Sequence, residues 1–270
     1  MFKNQPKGLF ALALANTGER FGYYTMLAIF TLFMQAKFGW DEEAAARVYA
    51  IFLAVVYFSP LLGGYVADKI GYGKCVVIGM ATMFLGYLGL AIPTAPDVTG
   101  MAVMFAGLAM VSLGTGLFKG NLQVLVGNLY DDPQYADRRD AAFSLFYMAI
   151  NIGAMFAPSM ANWITGQHLA KFGMVYDAAN QTPEYLEALY SGYGLCFGVA
   201  CASLVLSAAI YFACRKWFKH ADVTAKQVKK DDQQAVELTP KQTKDRIIAW
   251  LLVFGGVIFF WMAFHQNGSA

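Results

Sequence analysis

Asn16-Thr17-Gly18-Glu19-Arg20-Phe21-Gly22-Tyr23-Tyr24 lies inside a run that is otherwise apolar from Leu9 to Phe38. Two adjacent charges, Glu19 and Arg20, stand near the middle of that run. A charge at the centre of a bilayer costs roughly 2.5–3.5 kcal/mol on insertion scales, so these two need partners or a water-filled space. At 100° per residue, Asn16, Arg20, Tyr23 and Leu27 fall within about 60° of one another on a helix. Glu19 flanks that stripe on one side and Tyr24 on the other. The spacing predicts a helix whose polar, aromatic face points into a cavity, away from lipid.

Working outward, the whole chain has the composition of a membrane protein. Charged residues make up 14% and the mean hydropathy is +0.45, where a soluble domain carries roughly 25% charged residues. Seven hydrophobic segments are predicted, roughly at 9–38, 44–67, 75–93, 101–126, 141–165, 192–214 and 247–268, several of them longer than the ~18 residues that argue for a spanning helix. Lys3 and Lys7 before an apolar stretch resemble a signal peptide. The apolar run continues well past any cleavage point, however, so the first helix reads as a retained anchor. It is longer than the bilayer core requires and must tilt, bend or protrude, with Gly18 and Gly22 as natural places for a bend.

Basic residues set the orientation. With the N-terminus in the cytoplasm, fifteen Lys and Arg fall in cytoplasmic connectors. Only Lys37, Arg47 and Lys171 fall outside, and Arg20 and Lys119 lie within the membrane. The expected organisation is a six-helix bundle over 1–214, a charged cytoplasmic linker over 215–246, and a seventh helix beginning in 247–270. Six helices, a linker and a seventh helix are how a six-plus-six transporter is laid out, so the chain is expected to be the N-terminal part of about twelve helices. The four cysteines, in or beside apolar segments without metal spacing, read as small buried residues.

Three further stretches carry chemistry. Gly114-Thr115-Gly116-Leu117-Phe118-Lys119-Gly120-Asn121 combines glycines that allow close helix approach with a second intramembrane cation. It is not a nucleotide loop, since no strand precedes it. On the fifth segment Ser144, Tyr147, Asn151 and Pro158 share one helical face. Asn151 both donates and accepts, which suits an amide ligand or an interhelical hydrogen bond. Gly63 to Lys74 reads as a tight glycine-rich turn with Asp68 at a helix end, either a gate contact or a plain turn. One acid, Glu19, and two bases suggest a site for another negative group such as a substrate carboxylate; a permanent packing cluster is the alternative. Nothing points to an enzyme, a cofactor or a nucleic-acid partner: there is no metal cluster, no nucleophile with a base and no phosphate loop.

Together these residues resemble the major facilitator superfamily and, within it, the proton-dependent oligopeptide transporter family. Glu19-Arg20-Phe21-x-Tyr23-Tyr24 matches most of that family's Glu-x-x-Glu-Arg-Phe-x-Tyr-Tyr motif. Gly64 to Lys74 matches the superfamily's Gly-x-x-x-Asp-Arg/Lys-x-Gly signature. Phe146-Tyr147-x-x-Ile150-Asn151-x-Gly153, Gly114-Thr115-Gly116-x-x-Lys119 and Phe260-Trp261-x-x-Phe264-x-Gln266-x-Gly268-Ser269 are similar to its fifth-, fourth- and seventh-helix patterns. The resemblance implies proton-coupled symport of di- and tripeptides across the cytoplasmic membrane, with the proton as coupling ion. Glu19, Arg20 and Lys119 would couple protons. Arg20, Tyr23, Tyr24, Tyr57, Lys119 and Asn151 would bind peptide, Asp68 would gate, and Tyr147 and Gln266 would be further candidates. The C-terminal half of the same transporter would be the partner. The chain also departs from the family. Asn16 stands for the first Glu of the motif, Leu27 for a second basic residue, His265 for an acid on the seventh helix, and Gly120 for a proline. The less charged pocket leaves open another small anionic or amide-bearing solute, or a sensor or scaffold that does not transport.

Overall fold

The computed structural model describes residues 3–223 and 239–266, with side chains described up to residue 259. Six long helices form one compact unit: α1 (Lys7–Phe38), α2 (Glu42–Ile70), α3 (Tyr72–Ala91), α4 (Val98–Asn128), α5 (Arg139–Ala170) and α6 (Pro183–Ala213). A seventh, α7 (Pro240–Gln266), belongs to a second unit. By length and composition α2 to α6 are each able to cross a membrane. α1 carries the Glu19–Arg20 pair in its middle.

Local chemistry sets the helix ends. Asp41 and Asp97 accept hydrogen bonds from Ala44 N at 2.7 Å and Gly100 N at 2.8 Å, capping α2 and α4. α1 ends at Gly39, whose φ of +65° is the left-handed conformation that closes a helix with little cost for glycine. α2 and α3 are separated by the single residue Gly71, at φ +103°. The glycine-rich turn is thus one residue long, and Gly63, Gly64 and Asp68 all lie within α2. α6 starts at Pro183, nine residues before the hydrophobic segment. Its first turns are amphipathic, burying Tyr185, Ala188 and Leu189 beneath exposed polar neighbours. α7 likewise starts at Pro240, in the polar stretch before residue 247.

α1 and α4 are central. α1 touches α2, α4, α5 and α6, and α4 touches α1, α2, α3 and α5. α3 and α6 pack together on one side. Small residues form the seams. At Gly18 and Gly22 an added Cβ would lie 2.4 Å from Ser207 Oγ and 2.5 Å from Ser203 Oγ. These two glycines therefore let α6 approach α1, which is the physical reason for them where the sequence suggested a bend. A Cβ on Gly153 of α5 would likewise lie 2.7 Å from Thr17 O of α1. Cys75, Cys196 and Cys201 are buried.

The α2–α4 seam is the tightest. A Cβ on Gly63 would stand 2.1 Å from the Gly116 carbonyl oxygen, while one on Gly64 would meet nothing. Gly63→Ala should therefore lower stability by about 1–3 kcal/mol, the usual cost of overpacking. Gly64→Ala should be neutral or slightly stabilising, since glycine inside a helix costs about 0.5–1 kcal/mol against alanine. Thermal unfolding of the two variants in detergent checks the contrast; equal melting temperatures would contradict it.

The segment after α6 is docked onto the bundle rather than free from Arg215 onward. It forms two 3-10 turns, with Phe218 and Ala221 buried. Asn128 Nδ2 donates to Ala221 O at 2.9 Å, and Gly73 N donates to Asp222 Oδ1 at 2.8 Å. The expected linker residues 224–238 lie outside the described residues.

Candidate functional site

The centre of the site is built by consecutive residues of α1. Arg20 Nε lies 2.5 Å from Glu19 Oε2, and Arg20 Nη2 donates to Glu19 Oε1 at 2.6 Å. The guanidinium thus meets the carboxylate with two parallel hydrogen bonds, the strong geometry for this pair. Both side chains are buried, at 1% exposure for Glu19 and 4% for Arg20, so each charge depends on the other. The guanidinium also lies 4.7 Å from the centroid of the Tyr23 ring, and Tyr23 packs edge-on against Tyr24 at 5.5 Å. Asn16 is buried one turn before the pair, and Leu27 is half-buried beyond Tyr23. The polar stripe therefore faces the inside of the bundle.

Lys119 of α4 is half-buried and lies 5.1 Å above the ring of Tyr57 on α2. It is within electrostatic reach of Glu19 and Arg20 but forms no ion pair with Glu19 within 4.0 Å among the described residues. The Glu19 carboxylate is already occupied by Arg20. Tyr57 is 65% exposed. Lys119 thus stands at the open edge of the site, while the Glu19–Arg20 pair forms its interior.

On α5, Ser144, Tyr147 and Asn151 line one open hollow of about 380 Å³ with Met148, Ile152 and Met155. Asn151 is exposed. Asp68 is exposed at the other end of α2, where it accepts a hydrogen bond from the Tyr72 hydroxyl at 3.0 Å. The side chains of His265 and Gln266 lie outside the described residues.

Two tyrosines escaped the sequence reading. Tyr87 of α3 is 1% exposed, its hydroxyl has no hydrogen-bond partner among the described residues, and it lies within electrostatic reach of Glu19, Arg20 and Tyr23. Tyr49 of α2 lies within electrostatic reach of Tyr24 and Tyr57, and its ring centroid is 6.4 Å from that of Phe30. A tyrosine inside an apolar span was the available signal for Tyr87.

A family model described as "PTR2: POT family" matches residues 73–244. The chain belongs to the POT family. It is 30% identical over 285 residues to the dipeptide and tripeptide permease B of Xenorhabdus bovienii (strain SS-2004), covering 98% of this chain and 51% of that protein. It is 33% identical over 190 residues to the di-/tripeptide transporter of Lactococcus lactis subsp. lactis (strain IL1403), covering 65% of this chain and 37% of that protein. A crystal structure of a peptide transporter POT in complex with sulfate matches with a TM-score of 0.66 at 32% identity, over 99% of this chain and 48% of that one. The chain spans about half the length of the curated relatives it matches. It is an all-helical, multi-pass membrane protein whose fold corresponds to the N-terminal half of a major facilitator superfamily transporter. It belongs to a transporter family, not to an enzyme family.

Proposed function

We propose that this chain provides the N-terminal half-site of a proton-coupled symporter of di- and tripeptides, with its N-terminus in the cytoplasm. The organisation would be a bundle over 1–214, a linker over 215–246 and the start of the C-terminal bundle at 247–270. The observation that carries the reading is the buried, doubly hydrogen-bonded Glu19–Arg20 pair with a second cation, Lys119, at its open edge. With Glu19 ionised, the Arg20 fork is filled. Protonation of Glu19 from outside removes the negative charge, and the fork becomes available to a peptide carboxylate. Tyr23, Tyr24 and Tyr57 supply the aromatic walls, and Asn151 a donor and acceptor for the peptide amide. Closure around a site near the midplane and reopening to the cytoplasm would follow, with Asp68 acting at the cytoplasmic end of α2 and the C-terminal half supplying the opposite wall.

Uptake of a labelled dipeptide into proteoliposomes holding the protein, driven by an imposed pH gradient, tests this reading. Lys119→Ala should lower that uptake about tenfold or more, the scale of one hydrogen bond to a charged group. Unchanged uptake would make Lys119 a packing residue. Asn16 and Leu27, neutral where the family carries charge, favour one second reading: uptake of another small anionic or amide-bearing solute. Competition of uptake by dipeptides against free anions separates the two, and binding without flux would point to a sensor or scaffold.

A further inference from the structure

Lys37, in the last turn of α1, is 7% exposed and far in sequence from the Glu19–Arg20 pair. It lines a cavity of about 230 Å³ at the end of the bundle where α1 finishes and α6 begins, together with Ile92, His168, Tyr190 and Ser191. Its ammonium donates to Thr94 Oγ1 at 2.7 Å and lies 5.3, 5.5 and 5.7 Å from the ring centroids of Phe33, Phe38 and Tyr190. No carboxylate comes within 4.0 Å of it among the described residues. Asp97, within electrostatic reach, accepts from Gly100 N in the α4 cap. An ammonium has three donors, and one hydroxyl and three ring faces leave its charge with no carboxylate in contact among the described residues.

His168 lines the same cavity beside Lys37. Its Nε2 lies 2.8 Å from Ser191 Oγ, and its Nδ1 is buried without a partner. Ser191 Oγ donates to Ala188 O at 3.0 Å, so it accepts from His168 Nε2–H, while the unprotonated Nδ1 is closed off from the cavity. A ligand matching Lys37 carries an anion.

The surroundings give such a ligand a tail. α1 is 32 residues long, about 48 Å at 1.5 Å per residue and longer than the ~30 Å hydrocarbon core, and Lys37 sits in its last turn beside Thr94 of the α3–α4 connector, at the end of the bundle. From the cavity a seam between α3 and α6 runs inward past Gly194 and Gly198. A Cβ on Gly198 would meet nothing within 4 Å. Further along the same two helices lies an apolar groove of about 330 Å³ lined by Leu204, Val77, Met80 and Phe84 among others. Ten residues of α6, from Gly194 to Leu204, span about 15 Å, the depth of one leaflet of hydrocarbon. We propose that this cavity and seam bind one anionic phospholipid, its phosphate on Lys37 and one acyl chain along the α3–α6 seam.

Native mass spectrometry of the purified chain in mild detergent, titrated with phosphatidylglycerol or with phosphatidylcholine of the same acyl chains, tests the proposal. Phosphatidylglycerol should be retained about fivefold more than phosphatidylcholine, the weight of one Lys against an anionic lipid. Lys37→Met, which keeps the aliphatic stem, should abolish that preference. Gly198→Leu, placed in open space, should reduce retention of both lipids and keeps the test decisive if Lys37→Met fails to fold. Equal retention of the two lipids, or variants that bind like the wild type, would overturn the proposal. So would full displacement of the lipid by glycerol phosphate, which marks a free-anion pocket, or a dimer that Gly198→Leu dissolves, which marks a protein contact.

Discussion

Glu19→Gln should abolish accumulation of a labelled dipeptide driven by a pH gradient, while exchange of peptide across the membrane should survive. The side chain is 1% exposed and both its oxygens are taken by Arg20. In the proposed scheme a carboxylate in that position cycles between two states: ionised, with the guanidinium fork closed on it, and protonated, with the fork released. Glutamine is fixed in a state that resembles the second. It still offers one acceptor to Arg20, so shape and volume are kept, but the charge that a proton must neutralise is gone. Loading and unloading of peptide then no longer consume a proton, and the gradient has nothing to act on. Exchange needs only the binding site and the conformational cycle, which the substitution leaves in place. Paired measurements in the same proteoliposomes, uptake under a pH gradient and counterflow without one, check both halves. Normal gradient-driven uptake by Glu19→Gln would remove Glu19 from the coupling scheme.

The sequence made the central pair legible because charges inside a long apolar run have so few tolerable environments. Glu19 and Arg20 are neighbours in the chain with opposite charge, so pairing is the environment nearest to hand, and the helical periodicity puts Asn16 and Tyr23 on their face. Hydropathy found the core of each helix but not its ends. Pro183 to Ser191 is too polar to read as membrane, yet it continues α6 because Tyr185 and Leu189 still find apolar partners. The role of the glycines was also hidden. Gly18 and Gly22 differ from any flexible glycine only in what lies opposite, and that depends on Ser203 and Ser207, some 180 residues away. Tyr87 was missed for the same reason. Nothing local distinguishes a tyrosine facing lipid from one turned toward a buried ion pair on another helix. The position of Lys119 was not legible either. Its sequence neighbours suggest a reach toward Glu19, whereas its ammonium stands on the Tyr57 ring.

Arg20→Ala is the substitution with the largest expected cost to the fold. Removing one partner of a buried ion pair strands the other, at about 3–5 kcal/mol. Glu19 would be left almost wholly enclosed, with no second cation within 4.0 Å among the described residues, since Lys119 is held at the edge of the site. Such a loss is a large part of the stability of an ordinary domain. Poor yield and a much lowered melting temperature in detergent are therefore expected, and lost uptake alone would not tell folding from transport. The double variant Glu19→Ala with Arg20→Ala separates them. It removes both charges, leaves neither stranded, and should recover much of the stability lost in Arg20→Ala, because a buried pair adds little net stability over apolar replacements. Its uptake should remain absent, since both groups to which the proposed scheme assigns the proton and the peptide carboxylate are gone. A double variant no more stable than Arg20→Ala would mean that the guanidinium acts through its packing on Tyr23 instead of its charge. Recovered uptake in the double variant would mean that the pair holds α1 in place and takes no part in moving peptide.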